Sequence, residues 1–186
     1  MDSNLHLNNK FNVACIKMLT KTEGPFNRCC IWFQGCNINC QGCCNEELQY
    51  LIPKHIISED KLIEIVIEAK DKYSIEGITL SGGEPSIQKG LFHFNERIKN
   101  LDLGIIMFSG KYKKQLDCRL VNSVDLLIDG PFIQNSKDNE RLLIGSKNKR
   151  LNFITSRYIN YADYFENPVS IQEINVEEDY LFINGD

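Results

Sequence analysis

Short apolar runs alternate along this chain with longer stretches in which apolar residues recur every three or four positions. The runs at 12–19, 30–34, 77–80, 104–108, 124–128 and 151–155 have the length and β-branched or aromatic content of strands. Between several of them lie helical patterns. Ser58 is a predicted N-cap, with Glu59 and Asp60 in the first turn and Leu62, Ile65, Val66, Ala69 and Tyr73 at helical spacing behind it. Leu91, Phe94 and Ile98 form a second stripe, and Leu116, Leu120 and Val121 suggest a third helix. Strands alternating with helices imply parallel βαβ units, and strands covered on both faces explain unbroken apolar runs such as Ile105-Ile106-Met107-Phe108. The expected class is α/β, with functional groups gathered at the carboxyl ends of the strands. Beyond Tyr161 the pattern weakens, and the alternation from Ile171 to Ile183 suggests an added hairpin.

Length and composition narrow the classes of function. With 186 residues, 42% of them hydrophobic and 25% charged, the chain has the make-up of one cored globular domain. No internal repeat or linker-like segment divides it. A net charge of -4 with interspersed signs offers no footprint for nucleic acid or an anionic membrane. Lys147, Lys149 and Arg150 form the one local basic run, read as a solvated loop. No apolar stretch has the length of a membrane span, and the polar start Met1 to Lys10 lacks the core of a secretion signal, so a cytoplasmic protein is expected. In that reducing compartment clustered thiols are metal ligands more often than disulfides. Of 8 cysteines, Cys15 and Cys118 stand alone, while Cys29, Cys30, Cys36, Cys40, Cys43 and Cys44 crowd together.

Directly after Ile31-Trp32-Phe33, Cys36, Cys40 and Cys43 follow a C-x3-C-x2-C spacing. Thiolates are soft ligands for iron-sulfur clusters or zinc, and three so close converge on one centre only if the backbone wraps around it. Gly35, Asn37, Asn39 and Gly42 tolerate such turns. A zinc site with Cys29 or Cys30 as fourth ligand is the bland alternative, because a closed zinc site wants four. A four-iron cluster offered three thiolates keeps one iron open instead. The remaining five cysteines are expected to be small buried side chains. A second segment, Thr79-Leu80-Ser81-Gly82-Gly83-Glu84-Pro85, follows another strand. Its glycines admit a close backbone approach and Glu84 offers an acceptor for an ammonium group, although the same letters also describe an ordinary turn into a helix.

The two motifs in this order resemble the radical S-adenosylmethionine (SAM) superfamily. The resemblance implies a partial (β/α) barrel of mainly parallel strands with helices outside. It implies a [4Fe-4S] cluster on Cys36, Cys40 and Cys43, and SAM bound at the open iron with its amino group at Gly82, Gly83 and Glu84, beside Ser81. Glu23-Gly24-Pro25-Phe26, Gly42 before the third cysteine and Asn45 after it are similar to the activating proteins of anaerobic, class III ribonucleotide reductases. So are the segments Met107-Phe108-Ser109-Gly110-Lys111-Tyr112, Asp125-Leu126-Leu127-Ile128-Asp129-Gly130-Pro131-Phe132 and Gly145-Ser146-Lys147-Asn148. The similarity spans 11–158 of a single domain, with 159–186 as an extension. Ser109 and Asp129, both at strand ends, are further candidates for the cofactor pocket, with strand-terminal turns as the alternative. Departures are Cys44 at a position often aromatic in the group, and Lys149 where the group has glutamine.

By this resemblance a low-potential donor such as flavodoxin or ferredoxin reduces the cluster, SAM is cleaved to methionine and a 5'-deoxyadenosyl radical, and a glycine of a partner reductase becomes a glycyl radical. The alternatives are a radical SAM enzyme acting on another peptide or small molecule, and a noncatalytic zinc or iron-sulfur module. His6, His55 and His93 lack ligand spacing and are read as surface or helix residues.

Overall fold

The computed structural model describes residues 9–166, 172–176 and 181–184. Most of the polar start, His6 included, lies outside the described residues. A seven-stranded sheet organises the rest, in the order β3(His55–Ser58), β1(Lys10–Thr20), β2(Arg28–Phe33), β4(Gly77–Gly82), β5(Gly104–Ser109), β6(Leu126–Asp129) and β7(Arg150–Phe153). The central pairs β2·β4, β4·β5 and β5·β6 are parallel. The flanking pairs β1·β2, β1·β3 and β6·β7 are antiparallel, so the sheet is the expected α/β arrangement with its parallel strands in the middle and antiparallel edges. Parallel pairing needs a crossover, and the helices supply it: α1(Glu59–Tyr73) precedes β4, α2(Leu91–Lys99) joins β4 to β5, and α3(Cys118–Asn122) joins β5 to β6.

The local signals act as their chemistry requires. Ser58 caps α1 by accepting from the Lys61 amide, and Glu59 and Asp60 sit in its first turn. Leu62 and Val66 of α1, and Leu91, Phe94 and Ile98 of α2, are fully buried beside Ile31, Ile78 and Ile105 of the sheet, forming the main core. A short α4(Ala162–Glu166) packs Phe165 with Ile106, Ile128 and Tyr158 in a second core on the sheet's other side. β8(Glu173–Val176) and β9(Leu181–Asn184) pair antiparallel, the hairpin suggested by the weak alternation. Glu173 ties it back, accepting from Lys17 Nζ at 2.7 Å and from Thr20 Oγ1 at 2.8 Å. Strand β3 carries no strong apolar signal: it is a four-residue edge whose His55 and Ile56 are exposed. Among the described residues no helix is long and apolar enough to cross a membrane.

At the amino ends of the parallel strands, opposite the candidate site, Arg28 is fully buried. Its guanidinium donates to Thr79 Oγ1 (2.7 Å), Glu76 Oε2 (3.0 Å), Tyr158 Oη (2.9 Å) and the Ile78 carbonyl. This buried cation is paired and hydrogen-bonded, as burial demands.

Candidate functional site

The carboxyl ends of β2, β4 and β5 open into one cavity of about 790 Å³, bordered by Cys36, Cys40, Cys43 and Cys44 on one wall and by Ser81, Gly82, Gly83, Glu84 and Ser109 on another. Both sequence motifs therefore share a single space. The cysteine segment is a loop closed at its base: the Gly35 amide donates to the Leu48 carbonyl and the Cys36 amide to the Gln49 carbonyl, at 2.8 and 3.1 Å. Left-handed backbone at Gly35, Asn39 and Gly42 makes the intervening turns. Within the loop the Ile38 amide approaches Cys36 Sγ at 3.4 Å, and Gln49 Nε2 donates to the Cys40 carbonyl. Burial pushes the Cys40 thiol up, as do the charges of Cys43 and Cys36, whereas a hydrogen bond from Cys44 brings Cys43 down to about 5.

The Gly-Gly pair joins the two walls. A Cβ on Gly82, whose φ is +100°, would lie 2.5 Å from the Phe33 amide nitrogen, and one on Gly83 would overlap the Gly35 carbonyl. The Gly83 amide donates to the Phe33 carbonyl at 2.8 Å and the Glu84 amide to the Gly35 carbonyl at 2.9 Å. The glycines are thus demanded by backbone packing against the cysteine loop itself. Glu84 is buried and held on three sides: Ser109 Oγ donates to Oε1 at 2.8 Å, the Gly110 amide to Oε2 at 2.8 Å, and the Ser86 amide to Oε1 at 3.1 Å. The last contact caps the short 3-10 turn Pro85–Ile87, so the turn reading of this motif holds alongside the cavity-lining one.

Other expectations meet different outcomes. Asp129 is fully buried but is not on the cavity wall: Arg150 Nε and Nη2 grip it at 3.0 and 2.8 Å and the Lys113 amide donates to it. Cys29 and Cys30 are buried in the strand interior, Cys29 in the main core and Cys30 with Ala14, Trp32 and Leu48, and neither borders the cavity. Cys15, Cys44 and Cys118, expected to be buried, are exposed. Cys44 ends the cysteine loop on the cavity wall, and Cys118 opens α3, where a first-turn side chain borders a surface hollow beside Lys114 and Val121. His93 is a helix residue, its Nδ1 2.7 Å from Glu59 Oε1.

Sequence reasoning missed Lys149. Lys147 is exposed, as expected of that loop, and Arg150 is exposed but starts β7 and pairs with Asp129, whereas Lys149 turns inward to border the cavity and donates from Nζ to the Gly130 carbonyl at 2.7 Å. Its turn is docked on the strand end after β6, where Asn148 Nδ2 donates to the Pro131 carbonyl at 2.8 Å. A periodicity argument has no means of finding it, because it lies in a polar turn that carries no apolar repeat.

Residues 22–152 match the family model described as "4Fe-4S single cluster domain". The chain is 30% identical over 142 residues to the anaerobic ribonucleoside-triphosphate reductase-activating protein of Vibrio cholerae, covering 72% of this chain and 92% of that one. The protein of the same name from Haemophilus influenzae is 30% identical over 137 residues, covering 68% and 88%. Among solved structures, that of QueE from Escherichia coli is similar with a TM-score of 0.47 and 12% identity, covering 67% of this chain and 72% of that one. The chain belongs to the 4Fe-4S single-cluster family, among the radical SAM activating enzymes, and its cofactors are a [4Fe-4S] cluster and SAM.

Proposed function

We propose that this enzyme installs a glycyl radical on an anaerobic ribonucleotide reductase-like partner, with Cys36, Cys40 and Cys43 holding three irons of the cluster. The observation that carries the reading is the meeting of the C-x3-C-x2-C loop and the Gly82-Gly83-Glu84 turn in one cavity. The donor set supports it. The three thiols border the cavity, near enough for Cys36 and Cys43 to act on Cys40, and three thiolates suit a four-iron cluster with one open iron, whereas a closed tetrahedral zinc wants four ligands.

When bound, the cluster and SAM supply the reductive cleavage of the sulfonium to methionine and a 5'-deoxyadenosyl radical. The protein's share is binding and exclusion. Three thiolates would leave the fourth iron open to the amino acid end of SAM, and Glu84, already oriented by Ser109 and Gly110, would accept from its ammonium. Because those donors are fixed before binding, little reorganisation accompanies it. Asp129 enters this reading indirectly, by holding the Lys113 amide and Arg150 at the end of β6. Apolar side chains of Trp32, Ile38, Phe108 and Phe132 line the remaining wall and limit water around the radical.

The same reading takes 1–186 as one domain, supported by a sheet that runs unbroken from β3 to β7 and by the Glu173 tie to β1. A flavodoxin or ferredoxin is the proposed electron donor. A cytoplasmic setting, where thiols stay reduced and available as ligands, is part of the same proposal.

Anaerobically reconstituted protein with dithionite and SAM is expected to form 5'-deoxyadenosine. Adding an anaerobic ribonucleotide reductase should then produce the doublet electron paramagnetic resonance signal of a glycyl radical. Deoxyadenosine without that doublet, using an authentic partner, would sink the substrate assignment; a colourless protein binding zinc would sink the whole. Lys149 and Cys44 on the cavity wall, where the resembling activases differ, favour a second reading: radical chemistry on another peptide or small molecule.

A further inference from the structure

Two basic side chains border the cavity, and they are not alike. Arg141 is neutralised, its Nε donating to Asp138 Oδ2 at 2.7 Å. Lys149 makes no ion pair among the described residues, and its hydrogen bond goes to a carbonyl, which leaves its charge uncompensated. The groups that act on it across the cavity are Cys40, Cys43, Cys44 and Glu84. Glu84 already accepts from three donors of its own, so the field of the ammonium is uncommitted toward the cysteine wall of the cavity.

The ammonium is also held in place. Its turn is braced by the Lys149 amide on the Ser146 carbonyl at 3.0 Å, by Arg141 Nη1 on the Lys149 carbonyl at 3.3 Å, and by Asn148 on Pro131. Desolvation makes an unpaired ammonium costly, so an anion in front of it is the natural complement.

We propose that Lys149 is a fixed counter-charge for the iron-sulfur cluster, a positioning residue whose field raises the cluster's reduction potential. The proposal rests on the assignment of Cys36, Cys40 and Cys43 as cluster ligands. Three thiolates leave the cluster with negative charge, and reduction adds one more electron. A nearby ammonium in a partly desolvated wall favours the reduced state, since cluster potentials follow net charge, hydrogen bonding and exposure. The enzyme would then accept its electron from a less strongly reducing donor than a relative with a neutral residue at this position.

The test compares Lys149→Gln with Lys149→Arg in reconstituted protein. Glutamine keeps a donor for the Gly130 carbonyl and removes the charge, while arginine keeps the charge. Iron content is measured first, then the midpoint potential by a redox titration followed with electron paramagnetic resonance. K149Q is expected to hold wild-type iron and to be reduced at least about tenfold less favourably, a shift of about 59 mV for one electron. K149R should stay near wild type. Failure of K149Q alone to assemble a cluster, with K149R assembling normally, would equally indicate dependence on charge. Equal potentials in wild type and K149Q, or loss of the cluster in both variants, would overturn the proposal. A variant with Lys149 intact that keeps its iron after Cys36, Cys40 and Cys43 are all changed to alanine would instead defeat the ligand assignment beneath it.

Discussion

At the scale of single residues, backbone contact decides more of the site than side-chain chemistry does. Gly83 has no room for a Cβ because the Gly35 carbonyl occupies that space, and neither backbone can yield as a flexible side chain would. Gly83→Ala is therefore expected to cost about 1–3 kcal/mol, as overpacking generally does, and to lower the iron content of reconstituted protein. Urea titration and iron analysis check both. Asp129 carries a pH signature. Burial alone would raise its pKa, but Arg150 and the Lys113 amide bring it below the usual carboxylate value. A depressed folded-state pKa stabilises the protein above the unfolded value near about 4, and the contribution is lost as pH falls through the folded one. Asp129→Asn should thus be less stable than wild type at pH 7 by about 1–3 kcal/mol, with the gap closing as pH falls below about 4. Denaturation midpoints across that range would show the convergence, and a constant gap would contradict it.

At the scale of elements, the helices follow from local code, whereas the joining of strands follows from contacts distant in sequence. Ser58, Glu59 and the stripe from Leu62 to Ala69 are enough to start and face α1. Nothing local announces that Arg28 would link β2, β4 and the Tyr158 segment through bonds spanning 48 to 130 residues. Removing it takes a donor from Thr79 Oγ1, Tyr158 Oη and the Ile78 carbonyl, while Glu76 keeps Arg157 Nε at 2.7 Å. Arg28→Met should cost about 1–3 kcal/mol, in keeping with buried acceptors that lose their donor. Thermal or chemical unfolding measures the loss. A near-neutral effect would mean that apolar packing replaces the network.

At the scale of the whole molecule, the three proposed ligand cysteines lie outside the hydrophobic core clusters, and the loop touches them at its base through Leu48. None of Cys36, Cys40 and Cys43 belongs to a core cluster, and the loop is closed at 35–36 and 48–49 by its own backbone bonds. Iron-free protein is therefore expected to keep the far-ultraviolet circular dichroism of the folded chain while its melting temperature falls by at least about 2–4 °C, the equivalent of 1 kcal/mol at this size. A disordered spectrum without iron would show that the cluster is part of the core. The sequence by itself determined the α/β class, the capped start of α1 and the cysteines and glycines that come to border one cavity, because periodicity, capping and ligand spacing are all local properties of the chain. Only the tertiary structure decided that the outer strands pair antiparallel, that Asp129 turns to Arg150, that Cys44 faces the cavity, and that Lys149 turns inward from a solvated run. Those outcomes depend on which distant segments meet, and a residue's own neighbours in sequence carry no record of that.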